Sequence, residues 1–194
     1  MTIFPIIMPV AEPRYRLSGK EKVARLSRIS RDALRLSAES SGMILGELRK
    51  DEDDVPCPSN GNFWSVSHKS KFVAAIVSKS SIGIDIEEMR PRSEFIFDVV
   101  ASDEEWSLSK DRSWHTFFRY WTAKEAALKA VGIGIGGLKA CQLISVLDEN
   151  HILLNYRDCL FRVEQLYYSN HIASVLQNDN EIVWGIVEDY SYGQ

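Results

Sequence analysis

Helical and extended patterns fall in separate blocks along this chain, and that segregation restricts the fold more than any other feature. Residues 113–131 carry an apolar arc at the 100° step of an α-helix and stop at the glycine-rich 132–137. Beyond them only strand patterns follow, over 142–147, 151–156, 160–167, 171–177 and 182–188, the last preceded by the turn Asn178-Asp179-Asn180. Upstream, a helix is predicted over 19–41, then turn chemistry at 51–62 with two prolines and a glycine, then strands over 63–67, 72–77 and 82–87. A helical stretch within 93–109 is marked by the capping-box pair Ser102 and Glu105. Elements that segregate rather than alternate predict an α+β fold, not a doubly wound parallel sheet.

The 194 residues suffice for one domain or two small ones. Lys and Arg total 23 against 27 Asp and Glu, a net charge of −4 that argues against a nucleic-acid coat. Cys57, Cys141 and Cys159 are too scattered for a disulfide framework or a zinc cluster. No leader pattern and no apolar run near 18 residues is present, so the expectation is a reduced, cytoplasmic protein with neither membrane nor nucleic acid as partner.

Charge is unevenly spread. Residues 14–35 hold eight basic side chains and two acidic ones, whereas 36–54 hold six acids against Arg49 and Lys50. On the first helix Arg25, Arg28, Arg31 and Arg35 gather in one arc, either a solvated face or a row turned toward phosphates.

Three short segments look chemical. In Ile82-Gly83-Ile84-Asp85-Ile86-Glu87 the isoleucines share one strand face, while Gly83, Asp85 and Glu87 share the other. Two carboxylates roughly 6–7 Å apart repel, and a hard cation such as Mg²⁺ relieves them. Gly83, without a Cβ, is expected to admit a ligand to the backbone. The plain alternative is an edge strand with its polar face in water. In Trp121-Thr122-Ala123-Lys124-Glu125-Ala126-Ala127-Leu128-Lys129-Ala130, Glu125 projects into the arc of Trp114, Phe117, Phe118, Trp121 and Leu128, with Lys129 at its edge. A carboxylate among aromatics is costly unless paired or bound to metal, although a surface Glu→Lys pair four residues apart is also ordinary. Lys124, on the other flank, is placed to reach a ligand or solvent. In Ser67-His68-Lys69, at a strand end, two hydrogen-bonding side chains and a cation suit a phosphate, or form only a polar tip.

Taken in order, Ser67-His68, Gly83-Ile84-Asp85-Ile86-Glu87, Ser102-x-x-Glu105, Trp121-Thr122-Ala123-Lys124-Glu125 with Leu128-Lys129-Ala130, and Gly132-Ile133-Gly134-Ile135 resemble the 4′-phosphopantetheinyl transferases, particularly the larger, surfactin-synthetase-activating type. The resemblance implies transfer of the phosphopantetheine arm of coenzyme A to a serine of an acyl or peptidyl carrier protein, releasing adenosine 3′,5′-bisphosphate. It implies a pseudo-dimer of two similar α+β halves, 1–80 and 81–194, with coenzyme A in the cleft between them and no need of a partner subunit. Asp85, Glu87 and Glu125 would hold Mg²⁺, Lys129 would contact the attacked phosphate, and Ser67 and His68 would bind the nucleotide. Arg28, Arg31 and Lys124 are the further ligand-binding candidates, and Glu125 or a water held by Glu87 is the proton acceptor. The chain departs from the pattern at Asp54-Val55-Pro56, where the family carries Gly-Lys-Pro, so one nucleotide-contacting lysine is missing. Two alternatives are a metal-dependent phosphodiesterase or nuclease, and a non-catalytic relative that binds coenzyme A or a carrier.

Overall fold

In the computed structural model of the chain, which describes residues 1–13, 15–69 and 71–190, helix α1 (Gly19–Ser40) starts at a capping box. Ser18 Oγ accepts from the Glu21 amide and Glu21 Oε2 accepts from the Ser18 amide, satisfying two donors that a helix start leaves open. Ile29, Ala33, Leu34 and Ala38 form its buried stripe. That stripe packs on a four-stranded sheet whose members are β2 (Ile6–Pro9), β3 (Phe63–His68), β4 (Phe72–Ser78) and a late strand, Gly185–Ile186, in the order late strand–β2–β4–β3. Helix and sheet are also pinned by a polar contact, the Val77 amide donating to the buried Ser37 Oγ at 3.0 Å. Every residue of β4 is buried, as expected for a central strand with a helix over it.

A second sheet is built from β5 (Ile84–Glu88), β6 (Cys141–Val146), β7 (His151–Tyr156), β8 (Cys159–Tyr168) and β9 (His171–Leu176), all antiparallel in the order β5–β9–β8–β7–β6. Between β5 and β6 the chain makes α2 (Phe97–Val100), α3 (Asp103–Trp106) and the long α4 (Trp114–Ala130). Ser102 and Glu105 form the predicted capping box. Phe97, Trp106, Trp114, Phe117 and Tyr120 interlock as tilted and edge-on rings, holding the two short helices on α4. Helix α4 ends at Gly132, whose φ of +70° suits a residue without a Cβ. The Gly132 and Ile133 amides then donate to the Lys129 and Leu128 carbonyls, which closes the last turn.

The two sheets meet where β3 lies beside β5: the Ile84 amide donates to Ser65 Oγ. Five predicted strands of the last third appear, but the final one is broken into β10 (Glu181–Ile182) and β11 (Gly185–Ile186). Strand β10 pairs in parallel with β1 (Thr2–Ile3), and β11 pairs in parallel with β2. The tail of the predicted second half therefore completes the first sheet. Strands β1 and β2 have no counterpart in the sequence reading, because β1 is only two residues long and β2 is a short apolar run next to proline with no alternation. Among the described residues no helix is long and apolar enough to cross a membrane.

Candidate active site

Strand β5 carries Asp85 and Glu87 on one face, and that face is covered instead of open to water. Both residues are 4% exposed. The cover is α4, admitted by Gly83: a Cβ on Gly83 would lie 1.9 Å from the Ala126 carbonyl oxygen. Gly83 thus makes room for a helix, which corrects the expectation that it opens the backbone to a ligand. The close crossing brings Glu125 and Lys129, which flank Ala126 on α4, over the acidic face.

Asp85 Oδ1 accepts from Ser67 Oγ and from Lys129 Nζ, each at 2.7 Å, and Lys129 also donates to the Ile84 carbonyl at 3.2 Å. Its second oxygen, Oδ2, is buried without a hydrogen-bond partner, and so is Glu125 Oε1. Burial raises the proton affinity of Glu125 above the usual carboxylate range, and the negative charges of Asp85 and Glu87 raise it further against the pull of Lys129 and Lys69. Glu87 is fully engaged: Lys69 Nζ lies 2.7 Å from Oε1 and Arg92 Nη2 3.0 Å from Oε2. Among the described residues no three His, Cys, Asp or Glu side chains stand close enough in this arrangement to enclose an ion. Asp85 and Glu125 nevertheless hold one unpartnered oxygen each within reach of mutual repulsion, the chemistry that a divalent cation satisfies. Glu87 would join them on release from Lys69 or Arg92.

Two cavities open beside this group. One, of about 640 Å³, is lined by Lys50, Asp53, Asp54, Ser65, Lys129 and Gly132–Gly134. The other, of about 340 Å³, is lined by Ser27, Arg31, Lys50, Trp64, Val66 and His68. Desolvation against the cavity wall pushes His68 below the ordinary imidazole range, and the positive charges of Lys129 and Lys69 add to this. The smaller cavity, with Arg31 and Lys50 and, among the described residues, no acidic side chain, favours an anion, whereas the larger sets Asp53 and Asp54 against Lys50 and Lys129.

Residues 81–184, which span β5, α4 and the second sheet, match the model of the 4′-phosphopantetheinyl transferase superfamily. The chain belongs to that superfamily. It is similar to the 4′-phosphopantetheinyl transferase HetI of Nostoc sp., 35% identical over 91 residues, covering 43% of this chain and 38% of the relative. It is also similar to the 4′-phosphopantetheinyl transferase of Bacillus subtilis, 24% identical over 124 residues (62% and 55% of the two chains). A third relative is the 4′-phosphopantetheinyl transferase AcpT of Escherichia coli K12, 29% identical over 104 residues (50% and 51%). The chain spans about half the length, or less, of the curated relatives it matches. These matches favour the transferase reading over the phosphodiesterase one.

Within this superfamily member the structure gathers Ser67, Asp85, Glu125 and Lys129 in one cluster, with Glu87 and Lys69 alongside. His68 and Arg31 face a common cavity next to it. Ser67 donates its single hydroxyl proton to Asp85, so as placed it orients a carboxylate and is not directed at a phosphate. Arg28 lies on the exposed side of α1. Its neighbour Arg25 donates to the Ala11 carbonyl and Arg35 to Asp32, so the arginine row is divided among different partners. Lys124 is not brought to the site. Its side chain is 2% exposed and its ammonium lies 2.6 Å from Glu105 Oε1, which also accepts from the Leu143 amide at 2.6 Å. Helix α4 is covered on that flank by α3 and β6, which periodicity on one helix does not reveal. Burial pushes the neighbouring Cys141 thiol up to about 11, leaving it inert as a nucleophile. Sequence reasoning missed Arg92, which lies between the predicted strand 82–87 and the helical stretch within 93–109, and Lys50, read only as part of a charge reversal.

Proposed function

We propose that this chain transfers the 4′-phosphopantetheine arm of coenzyme A to a serine hydroxyl of an acyl or peptidyl carrier protein, releasing adenosine 3′,5′-bisphosphate. We place it among the larger, surfactin-synthetase-activating type, acting as a monomer with its ligand between the two sheet-and-helix units. The observation that carries this reading is the pair of unpartnered buried oxygens, Asp85 Oδ2 and Glu125 Oε1, next to the ammonium of Lys129.

Displacement at a diphosphate needs positioning and charge neutralisation more than covalent help from the protein. A divalent cation such as Mg²⁺, held by Asp85 and Glu125 with Glu87 as the third carboxylate, would neutralise the diphosphate and polarise the attacked phosphorus. Lys129, anchored by Asp85 and the Ile84 carbonyl, presents its remaining proton to an oxygen of the attacked phosphate. Ser67 keeps Asp85 in one rotamer, so its free oxygen stays aimed at the cluster. Glu125, whose proton affinity burial raises, is suited to accept the proton of the carrier's serine as it attacks. His68 and Arg31 bind the nucleotide end.

Incubation with coenzyme A, Mg²⁺ and a panel of carrier proteins is expected to add the arm, about 340 Da, to one serine of at least one carrier, as read by mass spectrometry. A folded chain that modifies none of the panel under saturating conditions would overturn the proposal.

A further inference from the structure

Glu87 differs from its acidic neighbours in having no oxygen to spare. Asp85 and Glu125 each keep one unpartnered oxygen, whereas both oxygens of Glu87 meet a cation, Lys69 Nζ at 2.7 Å and Arg92 Nη2 at 3.0 Å. The two cations come from different elements. Lys69 follows β3, where its amide donates to the Phe72 carbonyl at 2.8 Å and fixes the backbone. Arg92 follows β5, and its guanidinium lies over the Phe118 ring of α4, 5.2 Å from the centroid. Their side chains are 37% and 35% exposed, so either has room to swing away while the buried Glu87 stays in place.

Charge gives this hold a consequence. Asp85, Glu87 and Glu125 are set against Lys129, Lys69 and Arg92, so with Glu125 ionised the cluster is already balanced. Glu87 and Lys69 act on the proton affinity of Glu125 in opposite directions, which puts both within electrostatic reach of it. A divalent cation added alone brings uncompensated charge into a largely buried group and must take Glu87 from partners already in contact. A cation that enters with a diphosphate brings its own counter-charge, and the released ammonium and guanidinium then have a negative charge to replace Glu87.

We propose that Lys69 and Arg92 are positioning residues that hold Glu87 away from the metal until a diphosphate arrives, so that the chain binds its cation weakly alone and tightly with coenzyme A. The proposal rests on the transferase reading above, and the test separates the two. Mn²⁺ is the probe, its free fraction read by electron paramagnetic resonance with and without saturating coenzyme A, the Mn²⁺ held by coenzyme A itself being subtracted. Near-UV circular dichroism checks that each variant is folded. Without coenzyme A, K69M and R92M are each expected to bind Mn²⁺ about tenfold more tightly than the wild type, because one charge-assisted contact no longer competes for Glu87. A merely structural role would lower this affinity, not raise it. K69R should stay near the wild type, and so should K71M, whose ammonium pairs with the adjacent Glu88 at 3.5 Å. The gain should vanish when Glu87→Gln is added to K69M. Coenzyme A should tighten Mn²⁺ on the wild type by more than about tenfold, and in K69M that coupling should shrink by the fold gained. Unchanged Mn²⁺ affinity in both K69M and R92M, an equal gain in K69R or K71M, or a gain that survives Glu87→Gln overturns the proposal. A gain in only one of K69M and R92M overturns the role of the other residue. A wild type that holds Mn²⁺ as tightly alone as with coenzyme A overturns the proposal without any variant. A wild type that binds no coenzyme A, with or without Mn²⁺, defeats the transferase reading itself, a result distinct from all of these.

Discussion

Helix α4 sends two lysines to two carboxylates, and the pairs differ in what they leave unsatisfied. Lys124 is almost wholly buried and Glu105 largely so, and the Leu143 amide joins them at the same Glu105 oxygen. Burial, short contacts and a backbone donor make that pair a fastening between α3, α4 and β6. Lys129 and Asp85 are just as close at 2.7 Å, yet the lysine is 30% exposed, the second Asp85 oxygen has no partner, and Glu125 nearby has an unpartnered oxygen of its own. On the proposed function, unsatisfied polar groups at one pair and none at the other separate a site kept ready for a ligand from a bond that serves the fold.

The sharpest way to break this contrast is to neutralise one member of each pair. Asp85→Asn is expected to lower transfer about 10³-fold, equivalent to about 4 kcal/mol, with the urea midpoint nearly unchanged. Lys124→Met should do the reverse: a loss of about 3 kcal/mol in urea denaturation, because Glu105 stays buried without its cation, with transfer per folded molecule close to the wild type. If the first variant lost stability and the second lost only activity, the assignment of the two pairs would be inverted. The smallest effect concerns Glu125. Its proton affinity is higher in the folded chain than in the unfolded one, so above the ordinary glutamate value of 4.5 the folded state releases its proton later and stability falls as pH rises through the raised value. Glu125→Gln removes this penalty. The variant should melt slightly higher than the wild type at pH 7, the gap closing below the ordinary glutamate range, and differential scanning calorimetry across pH 4–8 reads it.

Much of this contrast was legible before any coordinates. Alternation placed Asp85 and Glu87 on one face of β5, and helical phase placed Glu125 and Lys129 on one side of α4. The amino-acid order could not say which face of which element meets the other. Gly83 was noticed, but whether its missing Cβ admits a ligand or a helix is decided by tertiary packing, and the helix takes the space. Lys124 was misjudged for a related reason: a lysine reads as a surface residue until a buried glutamate from another helix is seen beside it. Lys69 and Arg92 both close on Glu87 from outside β5, a convergence with no trace in local pattern. Strands β1 and β2 were invisible because runs of two and four residues on either side of Pro5 offer no period to detect.

The parallel pairing of β11 with β2 joins residues near opposite ends of the chain. Until Gly185 and Ile186 have been synthesised, the β2 margin of the first sheet exposes unpaired amides and carbonyls. A nascent chain halted before that point would present a sticky border to its neighbours, and clipping the tail after folding would uncover the same border again.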